Sequence, residues 1–420
     1  MLGGHKKLLV IVAVVLVVAA ACSSSSKSTS PPGTGTAGTG ASGNTLTIGV
    51  LTDVTGLGSP NNKTLPLGVK AGIGVAAKDG YKINYVLADT QSSLTQALSA
   101  AKKLVEENHV FAVIADSSFT FAAAPYLLAH GIPVIGASED ASEWITDRNM
   151  FSVIGTSNYS NVYSNSGLFY KGVGVTSVAS LGYSISPSSS ESAKSWALSA
   201  EHYGIKTGYL NAQFPFGSTN TGPEVLAMKA AGVNGFDGAI ETSTGFAMIQ
   251  DLRQNGVNLK AAIFATGYGG DLAQGGPAAT QIAQGFYFLS SFEPVEMRTT
   301  ATQQFQSALA TYAGLTTEPT FAEYIGYTSV LALVDGLKAA GSKPTQASLI
   351  NALLGMGTFN GGGLYGSHSV GFALDQRGNQ SGPDNCWWIT RYQGSTFHLV
   401  PGMDPLCGAV LPGLKVSASS

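Results

Sequence analysis

From Leu46 onward, short apolar runs alternate with segments whose apolar residues recur every three or four positions. "LTIGVL" (46–51) is a compact apolar run ending in Thr52-Asp53, the pattern of a buried strand. "GVKAGIGVAAKDG" (68–80) predicts a helix ended by Gly80, and "KINYVLAD" (82–89) a strand turning at Asp89. The segment 93–109 is strongly amphipathic: Leu94, Ala97, Leu98, Ala101, Leu104 and Val105 fall on one helical face. A strand at "VFAVIA" (110–115), a helix at 121–130 and a strand at "IPVIGA" (132–137) complete a βαβαβαβ series. Short apolar strands separated by helices imply a parallel sheet covered on both faces.

The rhythm breaks and restarts. Strands are predicted at 175–183, 205–212, 236–241, 260–266 and 285–291, with helices at 190–203, 221–231 and 245–255 between them. Three helical segments follow, at 298–313, 320–340 and 345–355. "VGFALDQRGNQ" and "CWWITRYQGSTFHLVP" then read as antiparallel β with a turn at Gly394. The fold class is therefore α/β, with two doubly wound Rossmann-like lobes and a cleft between them. In open sheets of this kind a ligand lies beyond the carboxyl ends of the strands, and two facing lobes can close on it by a hinge.

The front end sets the compartment. Lys6 and Lys7 precede Leu8 to Ala21, an uncharged apolar run of 14 residues. That is short of the roughly 20 residues a membrane span needs and matches the core of a signal peptide, here 1–21. Ala19-Ala20-Ala21-Cys22 resembles a bacterial lipobox, with Ala19 where Leu is usual. The resemblance implies that Cys22 becomes the mature N-terminus and carries lipid. The stretch 22–44 is rich in Ser, Thr, Gly and Pro and has one charge, Lys27. Such composition buries too little apolar surface to order itself and serves as a flexible tether.

About 375 residues follow Asn44, enough for two or more domains. The net charge of −3 gives no reason to expect nucleic acid as a partner. The remaining cysteines, Cys386 and Cys407, are a natural disulfide in an exported chain. A metal site there lacks ligands, since nearby His398 has no partner at metal-ligand spacing.

Catalytic patterns are weak. The six histidines are scattered, "GASED" (136–140) lacks the last glycine of a nucleophile elbow, and no P-loop occurs. "GIGVAA" (72–77) imitates a dinucleotide fingerprint, but its glycines fall inside a helix some 20 residues past the strand, so close helix packing explains them better. No enzyme activity and no cofactor are implied.

Several stretches taken in order carry a resemblance: "LTIGVLTDVTGLGS", "VLADTQSSLTQALSAAKKLVEEN", "VFAVIADSSFT", "IPVIGASEDASEW", "FDGAIETSTGFAMIQDLRQNG", "AIFATGYGG" and "FALDQRGNQ". Over roughly Leu46 to Val400 the chain resembles the type I periplasmic binding proteins, in particular the leucine/isoleucine/valine-binding receptors of ABC transporters. The resemblance implies three crossings between lobes, with lobe 1 at 45–157 plus 294–378 and lobe 2 at 158–293 plus 379–412. The helices of 298–340 would bridge the two.

The resemblance also implies a site. The Ser/Thr stretch matching Ser117, Ser118 and Thr120 holds a ligand carboxylate in the family, where spare N–H groups of a helix start would assist. Asp116 or Ser117 could equally be a plain N-cap. Ala137 and Ser138 match a loop contacting the ligand's head group. Tyr183, Ser184, Thr242 and Tyr268 would face the cleft from lobe 2, with Tyr268, Tyr183 and Phe119 able to form an aromatic wall. Leucine-type members place an acid for the ligand's ammonium near Tyr268. Here "ATGYGGD" has none at that point, although Asp271 is three residues on and Glu139 could substitute from lobe 1. An unpaired ammonium in a dry cleft is costly, so another carboxylate, an amide or an apolar molecule also fits. The implied role is a monomeric solute-binding lipoprotein on the outer face of the cell membrane, delivering a small organic solute to ABC permease subunits. A surface sensor on the same fold, or an envelope hydrolase, are the other readings.

Overall fold

The computed structural model describes residues 45–218 and 220–416. The expected signal peptide (1–21), Cys22 and the expected tether (22–44) lie outside the described residues.

The first sheet comprises β1 (Leu46–Thr52), β2 (Ile83–Asp89), β3 (Val113–Asp116), β4 (Val134–Gly136) and β5 (Met150–Ser152). All are parallel, in the order β2-β1-β3-β4-β5. Alternate residues of β1 serve opposite faces, as a pleated strand requires. Ile48 and Val50 join the core shared with the Leu65–Lys78 and Phe321–Ala340 helices, while Leu51 joins Leu104 of the Leu94–Glu106 helix on the other face. These helices and strands fall within a few residues of the sequence expectations. The 121–130 segment is a 3-10 turn, Thr120–Ala122, followed by a short helix, Ala124–Ala129.

The glycines that imitate a dinucleotide fingerprint serve helix packing. A Cβ on Gly72 would lie 2.6 Å from Cβ of Val330, and one on Gly68 would lie 2.1 Å from the Glu323 carbonyl oxygen. The Leu65–Lys78 and Phe321–Ala340 helices approach so closely only because those side chains are missing.

After β6 (Asn161–Tyr163) the chain builds a second sheet from β7 (Ser177–Tyr183), β8 (Lys206–Phe214), β9 (Gly235–Ala239), β10 (Ala261–Phe264) and β11 (Tyr287–Ser290). These five are mutually parallel. The chain then returns through the helices Thr300–Ala308, Phe321–Ala340 and Gln346–Leu354 before adding β12 (Cys386–Gln393) antiparallel to β11 and β13 (Thr396–Leu399) antiparallel to β12. The order is β13-β12-β11-β10-β9-β7-β8, with β14 (Leu406–Cys407) against β12 and β15 (Val410–Lys415) against β6. One face of this sheet carries a column of aromatic rings, Phe236, Phe264, Phe288 and Phe397, and the other packs Val178, Ile263, Tyr287 and Ile389. The protein is thus a mixed α/β chain with two parallel-stranded sheets and two lobes. The N-terminus of the Phe321–Ala340 helix reaches the second lobe, where Phe321 N–H donates to Asp271 Oδ2 at 3.0 Å and Tyr324 Oη–H to the Glu293 carbonyl at 3.1 Å.

Cys386 and Cys407 form the disulfide that the sequence suggests. His368 Nδ1 lies 3.6 Å from Cys386 Sγ, but the paired sulfurs are no longer thiolate ligands for a metal.

One expectation is overturned. The segment 370–380 is no antiparallel strand; it forms isolated bridges and turns. The cause is a buried cation. Arg377 donates to the carbonyls of Phe372 and Asp147 at 3.0 and 2.8 Å and lies over the Phe151 ring. Gly378 follows with φ of +80°, a left-handed conformation no extended ladder contains.

Candidate functional site

A cavity of about 210 Å³ lies where the carboxyl ends of the two sheets face each other. From the first sheet it is lined by Asn61, Asn62, Ser118, Phe119, Ser138 and Glu139. From the second come Tyr183, Ser186, Ser188, Ser189, Phe216, Ile240, Glu241 and Thr266. Ile154, Tyr159, Ser192, Trp196, Leu289, Ser291 and Phe321 also contribute. A smaller cavity of about 150 Å³ continues from it, sharing Ser138, Tyr159, Ser192 and Trp196 and extending to Asn161, Gln380, Ser381 and Trp387.

The lobes are closed on each other here. Ser188 N–H donates to the Asp140 carbonyl at 3.1 Å, and Ser188 Oγ–H donates to that of Glu139. Asn61 Nδ2 donates to the Glu241 carboxylate. Phe119 and Phe216 meet edge to face at 5.6 Å, and Phe216 meets Tyr183 at 5.0 Å, so an aromatic wall spans both sides.

The candidate residues separate into lining and supporting groups. Ser118, Ser138, Glu139 and Tyr183 line the cavity. Ser117 and Thr120 do not: Ser117 Oγ–H donates to Asp53 at 2.8 Å and Thr120 Oγ1–H to the Ser117 carbonyl at 2.9 Å. Ala137 is buried behind the wall, its N–H donating to the Ala115 carbonyl at 3.1 Å. Ser184 is exposed on the outer side of its loop. Thr242 shares a hydrogen bond with Thr266, 2.8 Å away, and so supports a lining residue. Tyr268 points away, its hydroxyl donating to Glu296 at 2.5 Å and its ring packing on Phe397.

The helix start anticipated as an anion site is not one. The turn after β3 consumes its own donors. Phe119 N–H donates to Ser117 Oγ at 3.1 Å, Thr120 N–H to the Ser117 carbonyl at 3.2 Å, and Phe121 N–H to Asp140 Oδ2 at 2.5 Å. The first turn of the Pro187–His202 helix is equally committed, to Asp140 and Ser186.

Carboxyl groups surround the site instead. Burial, with Asp140 and Asp53 nearby, raises Glu139 to about 7. Burial also pushes Glu241 well up, reinforced by Glu139 and Asp53. Asp116 is raised well above the usual range by burial and then by Glu139. Glu139 is half-buried by area, its open side facing the cavity. Sequence reasoning missed Glu241, although it directly follows β9 and therefore sits at a strand's carboxyl end, where ligand residues concentrate. It also missed Asn61 and Asn62, which lie in the short helix Ser59–Asn62 after β1, a stretch the sequence pattern left unassigned.

The family model for periplasmic binding proteins matches residues 45–396. The chain belongs to the periplasmic binding protein family. Its members are binding proteins, and this chain is a binding protein rather than an enzyme. Among solved structures, similarity extends to a leucine-binding protein from Thermotoga maritima, at 16% identity and a TM-score of 0.69, covering 84% of this chain and 97% of that one. A branched-chain amino acid substrate-binding protein from Streptococcus pneumoniae, in complex with isoleucine, matches at 20% identity and TM-score 0.68 over 89% of this chain and 100% of that one. A solute-binding protein of an ABC transporter from R. palustris, in complex with 4-hydroxybenzoate, matches at 15% and 0.68 over 85% and 96%. No curated protein is detectably similar in sequence. Among the described residues no helix of this periplasmic binding protein is long and apolar enough to cross a membrane.

Proposed function

We propose that this chain is the extracytoplasmic receptor of an ABC importer, capturing a small organic solute between two closing lobes and presenting the closed form to permease subunits. The observation that carries the reading is the cavity at the facing carboxyl ends of the two sheets, lined from both. Lobe 1 is residues 45–157 plus 294–378 and lobe 2 residues 158–293 plus 379–412, so that closure brings Ser118, Ser138 and Glu139 against Tyr183 and Glu241. Solved structures of similar fold, holding isoleucine or 4-hydroxybenzoate, support a ligand of that size.

The signal-like segment 1–21 and the lipobox-like run ending in Cys22 support an exported monomer tethered by lipid to the outer face of the membrane. Palmitate labelling of the expressed chain tests the anchor: label expected on the wild type, none on Cys22→Ala, and an unlabelled wild type refuting it. The receptor role is tested by thermal shift of residues 45–420 against amino acids, amides, amines and aromatic acids. A ligand that prefers the native state raises the melting temperature. At least one class is expected to do so, and a flat response across all of them would refute the role.

A further inference from the structure

The charge of the cavity is one-sided. Among the described residues its carboxyl groups are Glu139 and Glu241, which approach from the two opposed sheets, and no lysine, arginine or histidine lines it or the adjoining cavity. The wall behind Glu139 deepens the imbalance. Asp116 is fully buried against Glu139, and neither of its carboxylate oxygens has a hydrogen-bond donor. One oxygen of buried Asp271 is likewise unpaired. Ion pairs among the described residues involve Asp79, Asp335 and Asp384, none of them at the cavity. Buried carboxylates without a counter-charge are strongly disfavoured. The backbone and amide donors nearest the turn are already engaged: the N–H groups after β3 bind Ser117 and Asp140, and Asn62 Nδ2 donates to Asp53 at 2.9 Å. A carboxylate entering here would meet two carboxyl groups and no cation, with neutral hydroxyls such as that of Ser118 as its only kind of partner.

We propose that the solute is an organic cation, a protonated amine or a guanidinium, held between Glu139 and Glu241. This rests on the receptor reading above and narrows it. Asn61, which already donates to Glu241, fixes that carboxylate toward the cavity. The body of the solute lies along Phe119, Phe216 and Tyr183. Its far end reaches Trp196 and the adjoining cavity, where Asn161 and Gln380 provide amide partners. The departure from amino-acid receptors is then physical: the second carboxyl-bearing wall replaces the donors an α-carboxylate needs.

Three five-carbon amides differing at one terminal group test it: 5-aminopentanamide (cation), glutaramide (neutral) and glutaramate (anion), with L-leucine as a zwitterion. In calorimetry near neutral pH the cation should bind at least about 100-fold more tightly than glutaramate, a difference the loss of a buried charge pair readily supplies. Glu139→Gln and Glu241→Gln should each weaken the cation at least about tenfold and leave glutaramide unchanged. Tighter binding of glutaramate or leucine than of the amine would overturn the cation assignment while leaving the receptor intact. Silence from all four probes would also overturn it, and the broader thermal-shift panel would then decide separately whether the receptor reading survives. The wild-type comparison needs no variant to fold.

Discussion

Asp53 and Asp116 stand at the carboxyl ends of adjacent strands, β1 and β3, and both are buried. Their surroundings differ completely. Asp53 receives hydrogen bonds from Thr90, Ser117 and Asn62. Asp116 receives none, and faces Glu139 instead. Burial raises both, but in Asp53 the three donors work against that rise, whereas in Asp116 every further influence adds to it. One carboxyl ties together the loops after β1, β2 and β3. The other is a buried acid that burial and its neighbour Glu139 hold toward the neutral form, one residue from the cavity-lining turn. A group that a fold fully satisfies is holding the fold; a buried group left unsatisfied at a cavity is poised for something else.

Substitution is the strongest way to break that contrast. Asp53→Ala should orphan three donors and cost about 3 to 5 kcal/mol of stability in urea unfolding. Asp116→Asn should do the opposite near neutral pH, stabilising the free receptor by about 1 to 2 kcal/mol because it removes an unpaired buried acid. Equal destabilisation by the two would erase the distinction.

The next effect is on pH. Glu139 and Asp237 are raised to about 7, Asp140 to about 6 and Glu143 to about 9, in each case chiefly by burial. A raised acid binds more protons folded than unfolded, so its contribution is fully present below the ordinary carboxyl pKa and is lost as pH rises through the folded value. The melting temperature of the free receptor should therefore drop between about pH 5 and pH 8, and less steeply in Glu139→Gln. A melting temperature that rises over that range would contradict the assignment. Cation affinity should move oppositely, strengthening as those acids lose protons.

Smaller effects separate a hydrogen-bonded lining hydroxyl from an unbonded one. Ser138 Oγ–H donates to the Gly155 carbonyl at 2.7 Å, so Ser138→Ala should cost about 1 kcal/mol in urea unfolding. Ser118 makes no side-chain hydrogen bond of that kind, and Ser118→Ala should stay within about 0.5 kcal/mol.

The sheets were legible because their strands are short apolar runs bounded by turn residues, and buried parallel strands need nothing more. The segment 370–380 was not, because its path follows a buried guanidinium and a left-handed glycine rather than a periodic pattern. The site was legible as a place and less so as a set of residues. "DSSFT" marks the loop after β3, yet only the turn geometry decides that Ser118 opens into the cavity while Ser117 and Thr120 turn inward. Tyr268 looks equivalent to Tyr183 in sequence, but Glu296 and Phe397 draw it to the far side. Glu241 ends an ordinary strand, and its importance depends on Glu139, a hundred residues earlier, facing it.

Calorimetry of the best solute from the thermal-shift panel, titrated into wild type and into Ala265→Trp, tests the central claim most directly, since Ala265 lines the cavity and the indole would fill it. Saturable binding to the wild type and none to a folded Ala265→Trp is the predicted result; equal affinity in the two would place the solute elsewhere and contradict it.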